Sequence, residues 1–224
     1  MATTTFPRLS SLLFVLLGIF QLVTPSVLEA RVGGPRRNTD TVTNGGFYWY
    51  EEIDAGSART IQDATLKGDC RKDYETMLVV ARADGVVAPS VFAELFVAGR
   101  GIIGASSIKG RQAQAPQTCN ILPAGGTTHR FYGNCAEMNA LAIAVNLGWA
   151  TFSNNRLVLP AGSAITAYGV RNAQTGAVGV LRPCDATPEF QGCSTLLPTA
   201  ANLKIVTRDG DLEIEGLRAV EFKA

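Results

Sequence analysis

Histidine is almost missing from this 224-residue sequence: His129 stands alone, which excludes any metal site built on two or more histidines. Charge is sparse and balanced, with 20 Lys+Arg against 19 Asp+Glu, so the chain lacks the basic excess of a nucleic-acid coat protein. A local basic groove is compatible with that balance. No Asn-x-Ser/Thr sequon occurs, and N-glycosylation is not expected. No internal repeat is present. Gly99, Gly101 and Gly104 make no phosphate loop, because no Lys-Ser/Thr follows them and no helix opens there. The apolar run Leu12–Val23 is too short to span a bilayer comfortably.

That run has the length of a signal-peptide core, preceded by Arg8 and followed by the small residues Thr24, Ser26 and Ala30. Residues 1–30 are therefore expected to be a signal peptide, and the chain to be secreted with no membrane anchor after its removal. Arg31 to Gly46 has no hydrophobic periodicity and reads as a linker or pro-segment. Arg36-Arg37 offers a dibasic processing site within it. The rest, 47–224, is 178 residues, the size of one domain.

Within it the pattern changes type repeatedly. Ser57 to Ala83 reads as one or two helices, broken near Gly68. Val91–Val97 and Ile102–Ile108 flank a Gly-bearing turn and read as a hairpin. Ala136–Leu147 is alanine-rich and apolar nearly all round, as in a buried helix. Ala164–Val170 and Ala177–Leu181 read as strands, Cys193–Asn202 as a short helix, and Leu203–Val206 and Leu212–Ile214 as closing strands. This order predicts an α/β fold with one mixed sheet.

Two short pieces carry chemistry. Asn134-Cys135-Ala136-Glu137 opens the buried helix, where unsatisfied backbone donors and the helix dipole favour a thiolate. Cys135 and Glu137 then flank one small volume. Arg182-Pro183-Cys184 ends a strand, and Cys193 follows. Cys135, Cys184 and Cys193 can together form an open three-ligand Zn2+ site. Its fourth position takes a water of near-neutral pKa, whose proton Glu137 would accept and pass to a leaving amine.

Cys-Ala-Glu followed by Pro-Cys and a further Cys resembles the cytidine deaminase-like superfamily of zinc-dependent deaminases. With the secretory leader, the motif style is most similar to the toxin- or effector-type members. The resemblance implies a three-layer α/β/α sandwich with a mixed five-stranded sheet. It implies hydrolytic loss of ammonia from a nucleobase-containing substrate, with Cys135, Cys184 and Cys193 on zinc, Glu137 as proton shuttle and Pro183 turning the chain into the second motif. The family places two residues between the last two cysteines; here eight intervene.

Five cysteines are an odd number for a secreted chain. Three on zinc leave Cys70 and Cys119, which can form one disulfide. The alternative is two disulfides, including Cys184–Cys193, and one free thiol. Three thiolates also over-neutralise Zn2+, and Arg182 or Arg130 is placed to restore positive charge, unless each is a solvated surface residue. His129 has three readings: a core residue, a substrate contact, or the partner of Cys135 in a hydrolase dyad. Phe131 and Tyr132 offer aromatic faces to a base, whereas Trp149 fits the core. A rival to the enzyme is a non-catalytic secreted interaction protein of the same fold, held by disulfides.

Overall fold

A computed structural model describes residues 34–40, 42, 45–110, 129, 131, 133–153 and 156–208. The expected signal peptide, Cys119, Arg130, Tyr132 and the strand expected at Leu212–Ile214 lie outside these. Among the described residues no helix is long and apolar enough to cross a membrane.

The centre of the fold is the hairpin of β3 (Val91–Val97) and β4 (Gly101–Ser106), paired antiparallel from Phe92↔Ser106 to Val97↔Gly101. Gly99 makes the turn at φ +71°, a conformation that disfavours a side chain. β2 (Tyr48–Asp54) adds antiparallel to β4, and β1 (Arg36–Asn38) adds to β2. The dibasic pair thus belongs to an edge strand inside the stretch expected to be a linker. Arg37 lies 4.5 Å over the Phe47 ring.

On the other side, β3 pairs with β6 (Arg156–Asn172), a 17-residue strand that also receives β5 (Thr151–Ser153), β7 (Ala177–Val180) and β8 (Ala201–Ile205). All pairs are antiparallel except β6–β8, so the sheet is mixed. Its order is β1-β2-β4-β3-β6-β5, with β7 and β8 also on β6. The fold class is α/β as expected, but the sheet has eight strands and not five. The surplus arises because β6 is long enough to serve several partners in succession, and because β1 extends the opposite edge.

Helix α1 (Asp63–Ala83) runs unbroken through Gly68, against the expected interruption. A mid-helix glycine costs about 1 kcal/mol. Burial of Leu66, Cys70, Tyr74, Met77 and Ala81 along one stripe outweighs that, at about 1.5–3 kcal/mol for each large apolar side chain. Helix α2 is Ala136–Asn146, with every residue from Ala136 to Ala144 buried.

Period-2 alternation in β3 shares the core between the two helices. Phe92 packs with Met77 and Tyr74 of α1, and Phe96 with Leu66. Leu95 and Val97 join the large cluster containing Met138, Leu141 and Ile143 of α2. Inside the sheet, Gly104 leaves space for the Phe92 ring: a Cβ there would lie 2.8 Å from Phe92 Cε1.

Candidate metal centre

Helix α2 brings the first motif into place. Cys135 is its N-cap residue in extended conformation (φ −65°, ψ 147°), and its side chain makes no capping bond. Its carbonyl accepts the first helical bond from Asn139 N at 3.0 Å. Asn139 Nδ2 donates to Ser106 O at 3.1 Å and anchors the helix start to β4. Cys135 Sγ is thus turned away from the helix backbone and lies 3.6 Å from Cys184 Sγ.

The second motif leaves β7 still tethered to β6, with Leu181 N bonded to Ala167 O at 2.8 Å. The eight residues after Cys184 form a closed loop. Thr187 N donates to Phe190 O at 2.7 Å, and Phe190 N to Thr187 Oγ1 at 3.0 Å. The chain returns at Gly192 to start the short helix α3 (Cys193–Leu196), followed by a 3-10 turn over Leu197–Thr199. There Cys193 N donates to Cys184 Sγ at 3.1 Å, and Ser194 N to Cys184 O at 3.0 Å. The long spacing therefore still brings Cys193 back beside Cys184.

Gly192 was not singled out by the sequence reading, and it is what permits this return. A Cβ on it would overlap Cys184 O and the Asp185 carbonyl, both backbone. Gly192→Ala is expected to push the two cysteines apart, costing about 1–3 kcal/mol of stability. Denaturant unfolding and metal titration of the variant check this, and unchanged values in both would remove the role given to Gly192.

His129 completes the cluster from the other side. An isolated bridge pairs it with Gln191, and it is only 1% exposed. Its Nδ1 accepts from Phe131 N at 3.2 Å and Gly133 N at 3.1 Å. Its Nε2 lies 3.6 Å from Cys193 Sγ. One ligand atom from each of His129, Cys135, Cys184 and Cys193 lies within 4.8 Å of the others.

These distances suit a metal. A tetrahedron with metal–sulfur bonds of about 2.3 Å has sulfur–sulfur edges of about 3.8 Å, close to the Cys135–Cys184 separation. Cys135, Cys184 and Cys193 are all free thiols. Sulfur and imidazole donors suit a soft or borderline cation such as Zn2+, not Mg2+ or Ca2+.

Electrostatics divides the three thiols. Hydrogen bonds from Cys135 and then Cys193 hold Cys184 far below the ordinary thiol range, against the effect of burial; His129 and Cys193 N–H add to them. Cys135 is pushed up mainly because it donates to Cys184, and Cys193 mainly through its bond with Cys135. Without metal, Cys184 is thus the most acidic thiol of the three.

Glu137, on the first turn of α2, is 7% exposed. Burial, and then the Cys184 thiolate, push its carboxyl up from 4.5 to about 7. It also lines a narrow, mostly apolar cleft with Leu181, Pro183, Ile165 and Leu197. Ionising Glu137 penalises the folded state of the metal-free protein. The penalty is absent below about pH 4.5, grows with pH and is complete above about 7. Glu137→Gln removes it. The metal-free variant is expected to gain up to about 3 kcal/mol over the parent at pH 8, and little at pH 5. Denaturant unfolding in chelator at both pH values checks the sign; an equal gap at both would mean that Glu137 titrates normally.

The remaining expected site residues are spread more widely. Pro183 borders the Glu137 cleft, whereas Arg182 is exposed. His129 is buried with its Nε2 3.6 Å from Cys193 Sγ. Cys70 is a free, fully buried thiol bonded to Phe92 O at 3.4 Å, and its expected disulfide partner Cys119 is outside the described residues. Burial, then the charges of Glu94 and Asp73, push the Cys70 thiol up, away from reactivity. Those two carboxylates form a second buried group with Glu51, within 4.8 Å, which no sequence motif announced.

No protein-family model, curated protein or solved structure matches this chain.

Proposed function

We propose that the chain is a secreted, zinc-dependent hydrolytic deaminase of the toxin or effector type, acting on a nucleobase in a nucleoside, nucleotide or nucleic acid. In this reading the fold is a variant of the three-layer cytidine deaminase-like sandwich, with extra edge strands. The observation that carries the proposal is the meeting of Cys135, Cys184 and Cys193 in one cluster, with the buried Glu137 on the first turn of the helix that Cys135 caps.

Bound zinc would supply a Lewis acid able to bring a water toward neutral pKa. The chain does the rest. Cys135, Cys184 and Cys193 would hold the metal, with Cys135 at the N-cap of α2. Glu137 shuttles the proton: it takes one from the attacking water and delivers it to the departing amine, so that water and an amino-base give the oxo-base and ammonia. Burial of the carboxyl at the start of α2 keeps it out of bulk water, so that it exchanges its proton with groups in the site. Pro183 and Leu181 line the same narrow cleft as Glu137.

A second reading has its own support. Four ligand atoms within 4.8 Å are also the set of a closed structural zinc site, with His129 as fourth ligand, in a non-catalytic interaction protein. Screening zinc-loaded protein for ammonia release from cytosine and adenine nucleosides and short oligonucleotides separates the two. Release from one base class supports the deaminase, whereas no release from any with one zinc bound favours the structural site.

A further inference from the structure

The role of His129 is decided by what surrounds its ring. A neutral imidazole carries one N–H and one lone pair, on different nitrogens. Nδ1 faces two backbone amides, Phe131 N at 3.2 Å and Gly133 N at 3.1 Å. Amides only donate, so Nδ1 must hold the lone pair. A proton on Nδ1 would point at two N–H donors and at no acceptor, at a residue only 1% exposed. Turning the ring over would set a carbon against the same two donors, which is no better. The proton therefore sits on Nε2, directed at Cys193 Sγ 3.6 Å away.

A zinc-binding histidine has the reverse arrangement. It gives a nitrogen lone pair to the metal and donates its other N–H to a carboxylate, carbonyl or water. Here the nitrogen remote from the sulfurs meets donors alone. We propose that His129 is not the fourth metal ligand but a positioning residue whose Nε2–H donates to the Cys193 thiolate, leaving a three-thiolate site with its fourth position open. The inference rests on the zinc reading and deepens it.

The consequence is chemical. Three thiolates load a divalent zinc with excess negative charge and weaken it as a Lewis acid. Each N–H donated to a sulfur withdraws part of that charge. The site has two such donors, His129 Nε2 to Cys193 and Cys193 N to Cys184. Arg182, placed by its sequence position for the same task, is exposed. His129 thus supplies a neutral donor where a charged one was expected.

Because the chain has one histidine, labelling it with nitrogen-15 gives a single imidazole whose protonation is read directly by NMR. The full chain is measured metal-free and after titration with zinc alone, with bound zinc determined by elemental analysis. The expected result is an Nε2–H ring in both forms, with one zinc per chain. His129→Gln, which can still present an N–H to Cys193, is expected to keep that zinc within about tenfold of the parent affinity. His129→Ala is expected to weaken it about 10–100-fold.

Loss of the Nε2 proton on zinc uptake would overturn the proposal and make His129 a ligand. X-ray absorption on the parent protein needs no variant to fold: an imidazole shell around zinc would overturn the proposal equally. If the parent takes up no zinc, the underlying metal reading fails and this inference goes with it, an outcome distinct from both.

Discussion

Glu137→Gln is expected to lower ammonia release by about 10³–10⁴-fold while the protein still binds one zinc per chain. The glutamine keeps the size and hydrogen-bonding reach of the side chain but cannot carry a proton. Glu137 is invoked for two transfers, uptake from water and delivery to the amine, so its loss should fall on kcat and barely on KM. The structural setting makes the expectation specific. The carboxyl is buried at the start of α2, and in the metal-free protein burial pushes it up to about 7, whereas an exposed glutamate would be ionised throughout the physiological range. A structural zinc protein would be indifferent to the change. A hydrolase built on Cys135 and His129 would respond instead to loss of those residues. Steady-state kinetics with zinc analysis of the same preparation decides between these, and undiminished turnover by a clean variant would refute the shuttle.

Cys184→Ser is expected to have the largest effect on the metal and on stability together. Cys184 is the sulfur around which the cluster is organised: it receives Cys193 N–H at 3.1 Å and lies 3.6 Å from Cys135 Sγ. It is also the thiol held lowest, so it gives up its proton most readily. Cys135 and Cys193, both pushed up, must release their protons as zinc enters. Zinc affinity should therefore fall as pH falls, with protons released as zinc binds. Serine replaces a soft ligand by a hydroxyl that stays protonated, and stoichiometric binding should disappear. With zinc at about 1,000 times its dissociation constant, losing it removes about 4 kcal/mol of stability. For a domain of this size that lowers Tm by roughly 8–16 °C. Calorimetry of parent and variant, each with and without chelator, measures this. Equal Tm values in zinc would mean that the cysteines hold no metal.

The parts of this centre that were legible in the sequence are local ones. Cys135 and Glu137 share one helical turn, and the alanine-rich pattern of Ala136–Leu147 announces that helix without help from the rest of the chain. Cys184 follows a proline at a strand end, again a short-range signal. The return of Cys193 is different. It depends on the Thr187–Phe190 turn and on Gly192 passing against the Cys184 carbonyl, contacts that no periodicity encodes. His129 joins the cluster across 64 residues from Cys193, through a bridge to Gln191, so its neighbours are set by tertiary structure alone.

The fold shows the same division. The β3–β4 and β6–β7 hairpins stand where turn glycines and apolar runs put them. The first half of β6 was hidden by Pro160 and Gly162, which read as breakers. The strand passes through them where the β6–β8 register shifts between Val158 and Ser163, at an irregularity able to accept a residue without a backbone donor. Gly162, at φ +96°, makes the bend there. β2 was missed because its Glu51, Glu52 and Asp54 dilute the apolar pattern, although Tyr48, Trp49 and Ile53 are buried.

Zinc content per chain tests the central claim most directly, measured by elemental analysis on protein purified without added metal, with free thiols counted in parallel. The account predicts about one zinc per chain, lost on changing Cys135 or Cys184. It also predicts three thiols that become reactive only when chelator removes the metal. No zinc, with Cys184 and Cys193 joined as a disulfide in the purified protein, would contradict it and leave a non-catalytic binding module.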